Sequence, residues 1–383
     1  MIKVWNFEFN NAPGRALPDY EDTDFVQGVY DAAFARLVDL ERIGFEGVFF
    51  SEHHFLDSLS PNPNLLIAAL ARITKRLRLG VMGNVLAFHQ PWRLAEDLAM
   101  LDYITDGRLE IGTATGIPIE FMFVNIPVAD VRPIYAEMLQ FLDKARDHRK
   151  FSHEGKYWKY DDIMVMPRLK KVGRRREWVT IYSPGTAQMA ARRDAKVATG
   201  YQSTEGAAAA FAAYRLAAAE AGHAVGPDDV ALRRQVMIWD SDAAAETLHK
   251  ELLANAIERQ KKTFRPLTER MAKQQGAGMP AGIAQSGVKD AAAVPMARTD
   301  PRRTDFTPLT AGFVHMEDEF IYGSPETVAE KIVAQCRRTG AGNLLAYHSD
   351  SLEREELAHH YRLWERVLPM LEAAEIVAEP GAI

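Results

Sequence analysis

Gly47-Val48-Phe49-Phe50-Ser51 is a short uninterrupted apolar run that stops abruptly at the polar stretch Glu52-His53-His54-Phe55. A strand covered on both faces reads this way, because neither side of its pleat meets water, and such strands belong to parallel sheets. Ahead of it, Phe25, Val29, Ala33, Leu37, Leu40 and Ile43 recur at helical spacing, and Gly44 closes that helix as a C-terminal stop. Earlier still, Ile2, Val4, Phe7 and Phe9 alternate with polar neighbours and predict a first strand.

The same alternation repeats downstream. Further strands are predicted at Leu77–Met82, Leu109–Thr113, Val179–Tyr182, Val197–Tyr201, Gln235–Trp239 and Asn343–Tyr347. Amphipathic stretches at Leu65–Thr74, Trp92–Ile104, Ile134–His148, Thr186–Asp194, Ala207–Ala221, Ala243–Arg259 and Pro325–Thr339 separate them, and a final helix runs over Leu352–Leu371. Eight strands alternating with helices in 383 residues predict an α/β fold, a (β/α)8 TIM barrel; an open doubly wound sheet stays open as the alternative.

One segment breaks the rhythm. Thr263–Thr310 carries Gly276, Gly278, Gly282, Gly287 and five prolines without a period. Because strand and helix patterns resume after it, the segment reads as an insertion, a mobile lid over residues 263–310, within a single domain of residues 1–383. A disordered linker is the alternative.

With 47% hydrophobic and 26% charged residues the chain has the composition of a globular protein with a full core. A single cysteine, Cys336, excludes a disulfide scaffold. Nowhere do about 18 apolar residues run on, so no membrane span is expected. A net charge of −6 disfavours a nucleic-acid role, which needs a basic face. The lone cysteine and the lack of a charged, then apolar leader after Met1 predict a cytoplasmic location. The expected partner is a small molecule.

Three stretches carry chemistry. Glu52-His53-His54 sits where an apolar strand ends, which in a parallel barrel is the active-site face. Adjacent histidines on extended chain point to opposite sides and cannot chelate one metal together. One imidazole, His53, is therefore expected to face the mouth as acid, base or donor, supported by Glu52 and the other ring; a satisfied structural histidine is the alternative. Val179–Ser183 followed by Pro184-Gly185-Thr186 is a strand, a tight turn and a helix start whose first turn holds no acid. Such a turn offers free N–H groups to an anion. The comparable Ser324-Pro325-Glu326-Thr327 places a carboxylate at its helix start, where phosphate would be repelled. An ordinary hydroxyl cap is the alternative for Ser183. Finally, Gly112-Thr113-Ala114-Thr115-Gly116 and Gly83-Asn84 leave small residues at strand exits, where a flat ligand could approach the backbone, or where tight packing alone operates.

Glu52-His53-His54-Phe55, Asn62-Pro63-Asn64, Val85-Leu86, Pro91-Trp92-Arg93-Leu94-Ala95-Glu96-Asp97, Leu101-Asp102 and Asp106 to Gly112 follow one another in a telling order. Ser183–Ala191, Gly323-Ser324-Pro325-Glu326 and the Leu363–Leu371 helix continue it. In this order and spacing the chain resembles the bacterial luciferase-like flavin-dependent monooxygenase family over nearly its whole length. The resemblance implies a (β/α)8 barrel with a mobile lid that binds reduced FMN (FMNH2) or, in one branch, the deazaflavin F420. It implies that His53 is the catalytic imidazole at the reactive edge of the flavin, assisting formation and decay of a C4a-peroxyflavin. It further implies Ser183 and Thr186 as ligands of the flavin phosphate, with Gly83, Asn84 and Ala114 lining the ring. Glu52, Thr115, Tyr182 and Gly185 complete the expected cofactor site. Thr115 stands where luciferases carry a basic residue, and Ala114 replaces a reactive thiol, so one phosphate contact changes and light emission is not implied.

The expected activity is an FMNH2-dependent monooxygenase acting with O2 on a small organic substrate. With no GxGxxG in the chain, reduced flavin is expected from a separate flavin reductase. The resemblance also implies a homodimer. An F420-dependent oxidoreductase, a non-catalytic flavin-binding homologue and a metal-dependent hydrolase using Glu52, His53, His348 and Asp350 remain as alternatives.

Overall fold

Lys3–Glu8 (β1), Thr23–Ile43 (α1) and Gly47–Phe50 (β2) form the first strand-helix-strand unit, with β2 parallel to β1. Asp22 caps α1 by accepting the N–H groups of Asp24 and Phe25, and Gly44 ends it in the left-handed region at φ 110°. The structure is a computed structural model and describes residues 1–55, 58–170, 176–256, 258 and 317–376.

The pattern continues through Pro63–Ile73 (α2), Arg78–Val85 (β3), Pro91–Ile104 (α3) and Leu109–Ala114 (β4). A short helix Pro118–Phe123 (α4) and the long Val128–Asp147 (α5) lead to an antiparallel hairpin of Phe151–Glu154 (β5) and Lys159–Ile163 (β6). Then come Glu177–Ile181 (β7), Pro184–Arg192 (α6), Lys196–Thr199 (β8), Thr204–Glu220 (α7) and Val230–Ile238 (β9). A helix over 242–256 (α8) follows. Phe320–Gly323 (β10), Pro325–Thr339 (α9), Asn343–Tyr347 (β11) and Arg354–Ala373 (α10) complete the described chain. Helices α2, α3, α4, α6 and α9 each begin with proline, whose fixed φ suits the first helical position and turns the chain sharply out of the preceding loop.

Strands β1, β2, β3, β4, β7, β8, β9 and β11 pair in parallel around a closed ring, β11 joining back to β1 through Lys3 to Asn343. The architecture is a (β/α)8 barrel, and every strand anticipated from the apolar runs lies in this ring. Differences lie at the edges. Strand β9 starts at Val230 rather than Gln235, because Arg233 and Arg234 interrupt the apolar pattern although both are buried. The β5–β6 hairpin carried too few apolar residues to be read, and β10, which extends along β9 outside the ring, was not anticipated although Phe320, Ile321 and Tyr322 are apolar. The expected lid at 263–310 falls between the hydrogen-bonded neighbours β9 and β11, as an insertion must, and lies outside the described residues.

Trp5, Phe7, Phe49, Met82, Trp178, Ala198, Ala231 and Leu345 fill the barrel interior. Trp5 and Phe49 pack at 4.8 Å between ring centroids, and Phe49 meets Trp178 edge-on at 5.5 Å. The two indoles remain satisfied: Trp5 donates to Asn343 at 3.0 Å and Trp178 to Glu110 at 2.6 Å. Room for Trp5 comes from Gly47, where a Cβ would lie 2.5 Å from its ring. A second, larger core packs the helices against the outside of the ring. Burying each large apolar side chain contributes roughly 1.5–3 kcal/mol, so these cores hold the strand ends in fixed register for the loops above them. No helix among the described residues is long and apolar enough to cross a membrane.

Candidate active site

The loops leaving β2, β3, β4 and β7, consecutive in the ring, bring the expected residues together at the C-terminal mouth of the barrel. His53 follows β2. Its ring stacks on Phe9, just past β1, at 5.7 Å and 16°, and its Nδ1 lies 3.0 Å from Oε1 of Glu120. That oxygen also accepts the backbone N–H of His54 at 2.9 Å, and an N–H on the imidazole Nδ1 is the donor that complements it. The Nε2 nitrogen is thereby left to accept or deliver a proton. The Glu120 side chain is fully buried, and its Oε2 has no hydrogen-bond partner among the described residues.

Glu52 was expected to support His53, and the structure corrects this. Its Oε1 accepts from His54 Nε2 at 3.0 Å, both oxygens lie 3.0 Å from His89 Nε2, and its Oε2 accepts the Val85 N–H at 2.9 Å. Burial pushes the Glu52 carboxyl up, but the hydrogen bonds from His54 and His89 and the charge of His89 outweigh it and hold it below the usual carboxylate range. The hydrogen bond to Glu52 in turn raises the His54 imidazole. Glu52 therefore locks the β2 and β3 loops together, and the carboxylate that orients His53 comes from α4. The rings of the two histidines leave the chain toward different partners because successive side chains on extended backbone alternate.

Gly83 and Asn84 lie at the end of β3, where the pairing with β4 shifts register between Val81 and Asn84. A Cβ at Gly83 would sit 2.6 Å from the Thr113 carbonyl carbon, so its smallness serves the close approach of β4. Asn84 is buried, donates to the Gly112 carbonyl at 2.9 Å and accepts from Asn64 at 3.1 Å. Ala114 pairs with Val85 at the β4 exit, and Thr115 follows it, half-buried.

Tyr182, Ser183, Gly185 and Thr186 occupy the turn from β7 into α6. Ser183 is the N-cap, accepting the Thr186 N–H at 3.4 Å with the two hydroxyls 3.1 Å apart. The turn at Ser324 is built the same way, with Ser324 capping α9 and its hydroxyl 3.2 Å from that of Thr327. There the resemblance ends. Asp242 sits on the second turn, accepting from the Ser324 N–H at 2.7 Å and from the Thr327 hydroxyl at 2.9 Å. The first turn has no acid, and nothing lies within 4 Å of a Cβ built on Gly185.

Glu120, His89, Phe9 and Tyr347 were not anticipated as neighbours of this site. Glu120 is a lone acid in the apolar run Ile117-Pro118-Ile119-Glu120-Phe121, and a charge in such a run was its one available signal. His348, a candidate metal ligand, instead lies with Nδ1 2.9 Å from the Tyr361 hydroxyl, and among the described residues no three His, Cys, Asp or Glu side chains could hold a metal ion.

The model of the luciferase-like monooxygenase family matches residues 14–343. An uncharacterized protein of Sinorhizobium fredii, y4wF, is 31% identical over 160 residues, 41% of this chain and 47% of its own length, so the match spans about half of that relative. The 3,6-diketocamphane 1,6-monooxygenase of Pseudomonas putida is 23% identical over 385 residues, covering 92% of each chain. The solved oxygenating constituent of 3,6-diketocamphane monooxygenase from Pseudomonas putida, a type II Baeyer-Villiger monooxygenase in complex with FMN, superposes with a TM-score of 0.71 at 24% identity over 99% of both chains. An F420-dependent secondary alcohol dehydrogenase in complex with an F420-acetone adduct superposes at 0.67 with 13% identity, over 97% of this chain and 99% of its own. The structural likenesses bear on the fold; the family model, spanning most of the sequence, bears on descent, and by it this chain belongs to the luciferase-like monooxygenase family.

Proposed function

We propose that the protein is an FMNH2-dependent monooxygenase that receives reduced flavin from a separate reductase and oxygenates a small organic substrate with O2. The observation that carries this reading is the contrast between the twin turns. An α-helix N-terminus with a serine cap and a following threonine attracts an anion; at Ser324 the protein supplies its own, Asp242, while at Ser183 it leaves the place open above Gly185. The flavin phosphate fits that open turn. From there the ring would extend toward β3 and β4, with its reactive edge beside His53.

Reduced flavin, when bound, supplies the electrons that activate O2. The chain supplies the rest. Glu120 holds the His53 imidazole with Nδ1 as donor, leaving Nε2 to hold or deliver one proton at the mouth. The absence of a GxGxxG run supports delivery of reduced flavin by a partner enzyme. FMN in the complex of the diketocamphane relative favours FMN, and the F420 relative keeps the deazaflavin as the second reading.

Anaerobic titration with FMN, FMNH2 and F420, followed by admission of oxygen, tests this. Tight FMNH2 binding, weak F420 binding and oxygen uptake are expected. Preference for F420 without oxygen uptake would move the protein to the hydride-transfer branch.

A further inference from the structure

Arg233 stands on β9 with its side chain 4% exposed, pointing into the floor of the barrel mouth. Its guanidinium carbon lies 3.7 Å from the centroid of the Tyr201 ring, 4.8 Å from that of Tyr347 and 5.8 Å from that of Phe7. Tyr347 meets Phe9 edge-on at 5.3 Å, and Phe9 carries the stacked His53, so the cation and the imidazole share one aromatic floor.

One face of this cation is settled: Nη1 donates to Glu319 Oε1 at 2.5 Å. The other is not. Nη2 is buried and makes no hydrogen bond of normal geometry among the described residues, the Tyr201 side chain being the guanidinium's one other polar neighbour of note. The neighbouring Arg234, equally buried on the outer side of β9, shows what the fold does when an arginine is structural: its Nε, Nη1 and Nη2 donate to Gln335, Gln202 and Thr204 at 2.6, 3.1 and 3.1 Å. Glu319 is moreover shared, its Oε2 lying 3.5 Å from Arg234 Nη1. A guanidinium is always charged and carries five N–H donors, and leaving one buried without an acceptor is costly unless a ligand supplies it.

We propose that Arg233 anchors the negatively charged or strongly accepting end of the substrate, which assigns the substrate to the small organic acids: a carboxylate on Nη2 and a flat or compact apolar body against Tyr201, Tyr347 and Phe9. Calling this anion the substrate rests on the monooxygenase reading; the anion site itself does not. The flavin phosphate is a different anion, held at the β7 exit, and one strand of the ring, β8, lies between the strand that leads to Ser183 and the strand that carries Arg233.

The test is calorimetric titration of the full chain, with and without FMN, using benzoate and its neutral isostere benzamide. Benzoate is expected to bind at least about tenfold more tightly than benzamide, since a charge-assisted hydrogen bond discriminates by that order. In Arg233→Gln the ratio should fall toward one, in Arg233→Lys it should be retained in part, and FMN affinity should be unchanged in both. Equal binding of the two probes by the unsubstituted chain, binding of neither, or a ratio that survives in Arg233→Gln would overturn the assignment. Loss of FMN but not riboflavin binding in Arg233→Gln would also overturn it, making Arg233 a phosphate ligand. Should Arg233→Gln fail to fold, the unsubstituted chain and Arg233→Lys decide the question. A benzoate preference without any flavin binding would uphold the anchor and contradict the monooxygenase reading, so the two claims fail separately.

Discussion

Oε1 of Glu120 sits 3.0 Å from Nδ1 of His53 and 2.9 Å from the backbone N–H of His54, so one buried oxygen fixes both the ring and the chain that carries it. A carboxylate behind an imidazole sets which nitrogen faces the reaction and stabilises the imidazolium that forms there. Glu120 is in this sense a positioning residue. In Glu120→Gln the amide oxygen still accepts both hydrogen bonds, so melting temperature and FMN affinity should stay close to those of the parent. The lost counter-charge should lower product formation per flavin oxidised by about tenfold or more, with the balance appearing as hydrogen peroxide. Glu120→Ala should reduce stability as well. A Glu120→Gln protein with full coupling would remove the carboxylate from the account.

Gly185 offers a clean test of the anion turn. No atom lies within 4 Å of an added Cβ, so Gly185→Asp is accommodated without strain and reproduces at α6 the acid that Glu326 supplies at α9. The helix itself should gain a few tenths of a kcal/mol from the acid in its first turn. FMN binding should weaken by about tenfold or more, whereas riboflavin, which has no phosphate, should bind as before. Equal weakening of both flavins would mean that the turn holds no phosphate.

Most of the barrel was legible because its signal is local. Buried parallel strands need continuous apolar runs such as Gly47–Phe50, and the helices repeat every three or four residues, so each element announced itself within its own length. What escaped notice depends on partners distant in sequence. Arg233 and Arg234 disguised the first half of β9, since a charge reads as exposed until its aromatic and acidic neighbours are known. Glu120 lies 67 residues from His53, and only closure of the ring brings α4 over the β2 exit. The twin Ser-Pro-x-Thr turns were visible in the sequence, and Glu326 already set them apart, but the second carboxylate on the Ser324 turn, Asp242, is not local to it.

Gly83 separates packing from ligand binding. With Thr113 backbone atoms 2.6–2.9 Å from an added Cβ, Gly83→Ala forces β3 from β4 and should cost about 1–3 kcal/mol in denaturant unfolding, with or without flavin. A variant of parental stability that loses only flavin affinity would show that the glycine serves the ligand alone.

The polar cluster behind β1 predicts acid sensitivity. Arg36 donates to buried Glu8 at 2.7 Å, and the Tyr361 hydroxyl joins Asn6 at 2.6 Å and His348 Nδ1 at 2.9 Å. Burial works against the Glu8 carboxylate, but Arg36 and His348 outweigh it and hold it at about 2. Burial lowers His348 to about 4 and His360 to about 3. In each case the unfolded chain takes up protons more readily than the folded one, so stability is complete above the unfolded value and declines as pH falls. His348 acts as pH drops from about 6.5 toward 4, His360 from about 6.5 toward 3, and Glu8 from about 4.5 toward 2, each contributing on the order of 3–5 kcal/mol. Melting temperature followed from pH 7 downward should fall in these two windows, and His348→Gln should flatten the first. A stability constant down to about pH 4 would contradict the buried, neutral state of both histidines.

The most direct measurement is stopped-flow absorbance of the protein with anaerobically bound FMNH2, mixed with oxygen, for the parent and His53→Ala. The account predicts flavin affinity within about twofold in the two proteins, because the phosphate turn is remote from His53, but return to the oxidised spectrum at least about tenfold faster in the variant with stoichiometric hydrogen peroxide. Identical reoxidation in the two proteins, or a parent that holds no reduced flavin, would contradict it.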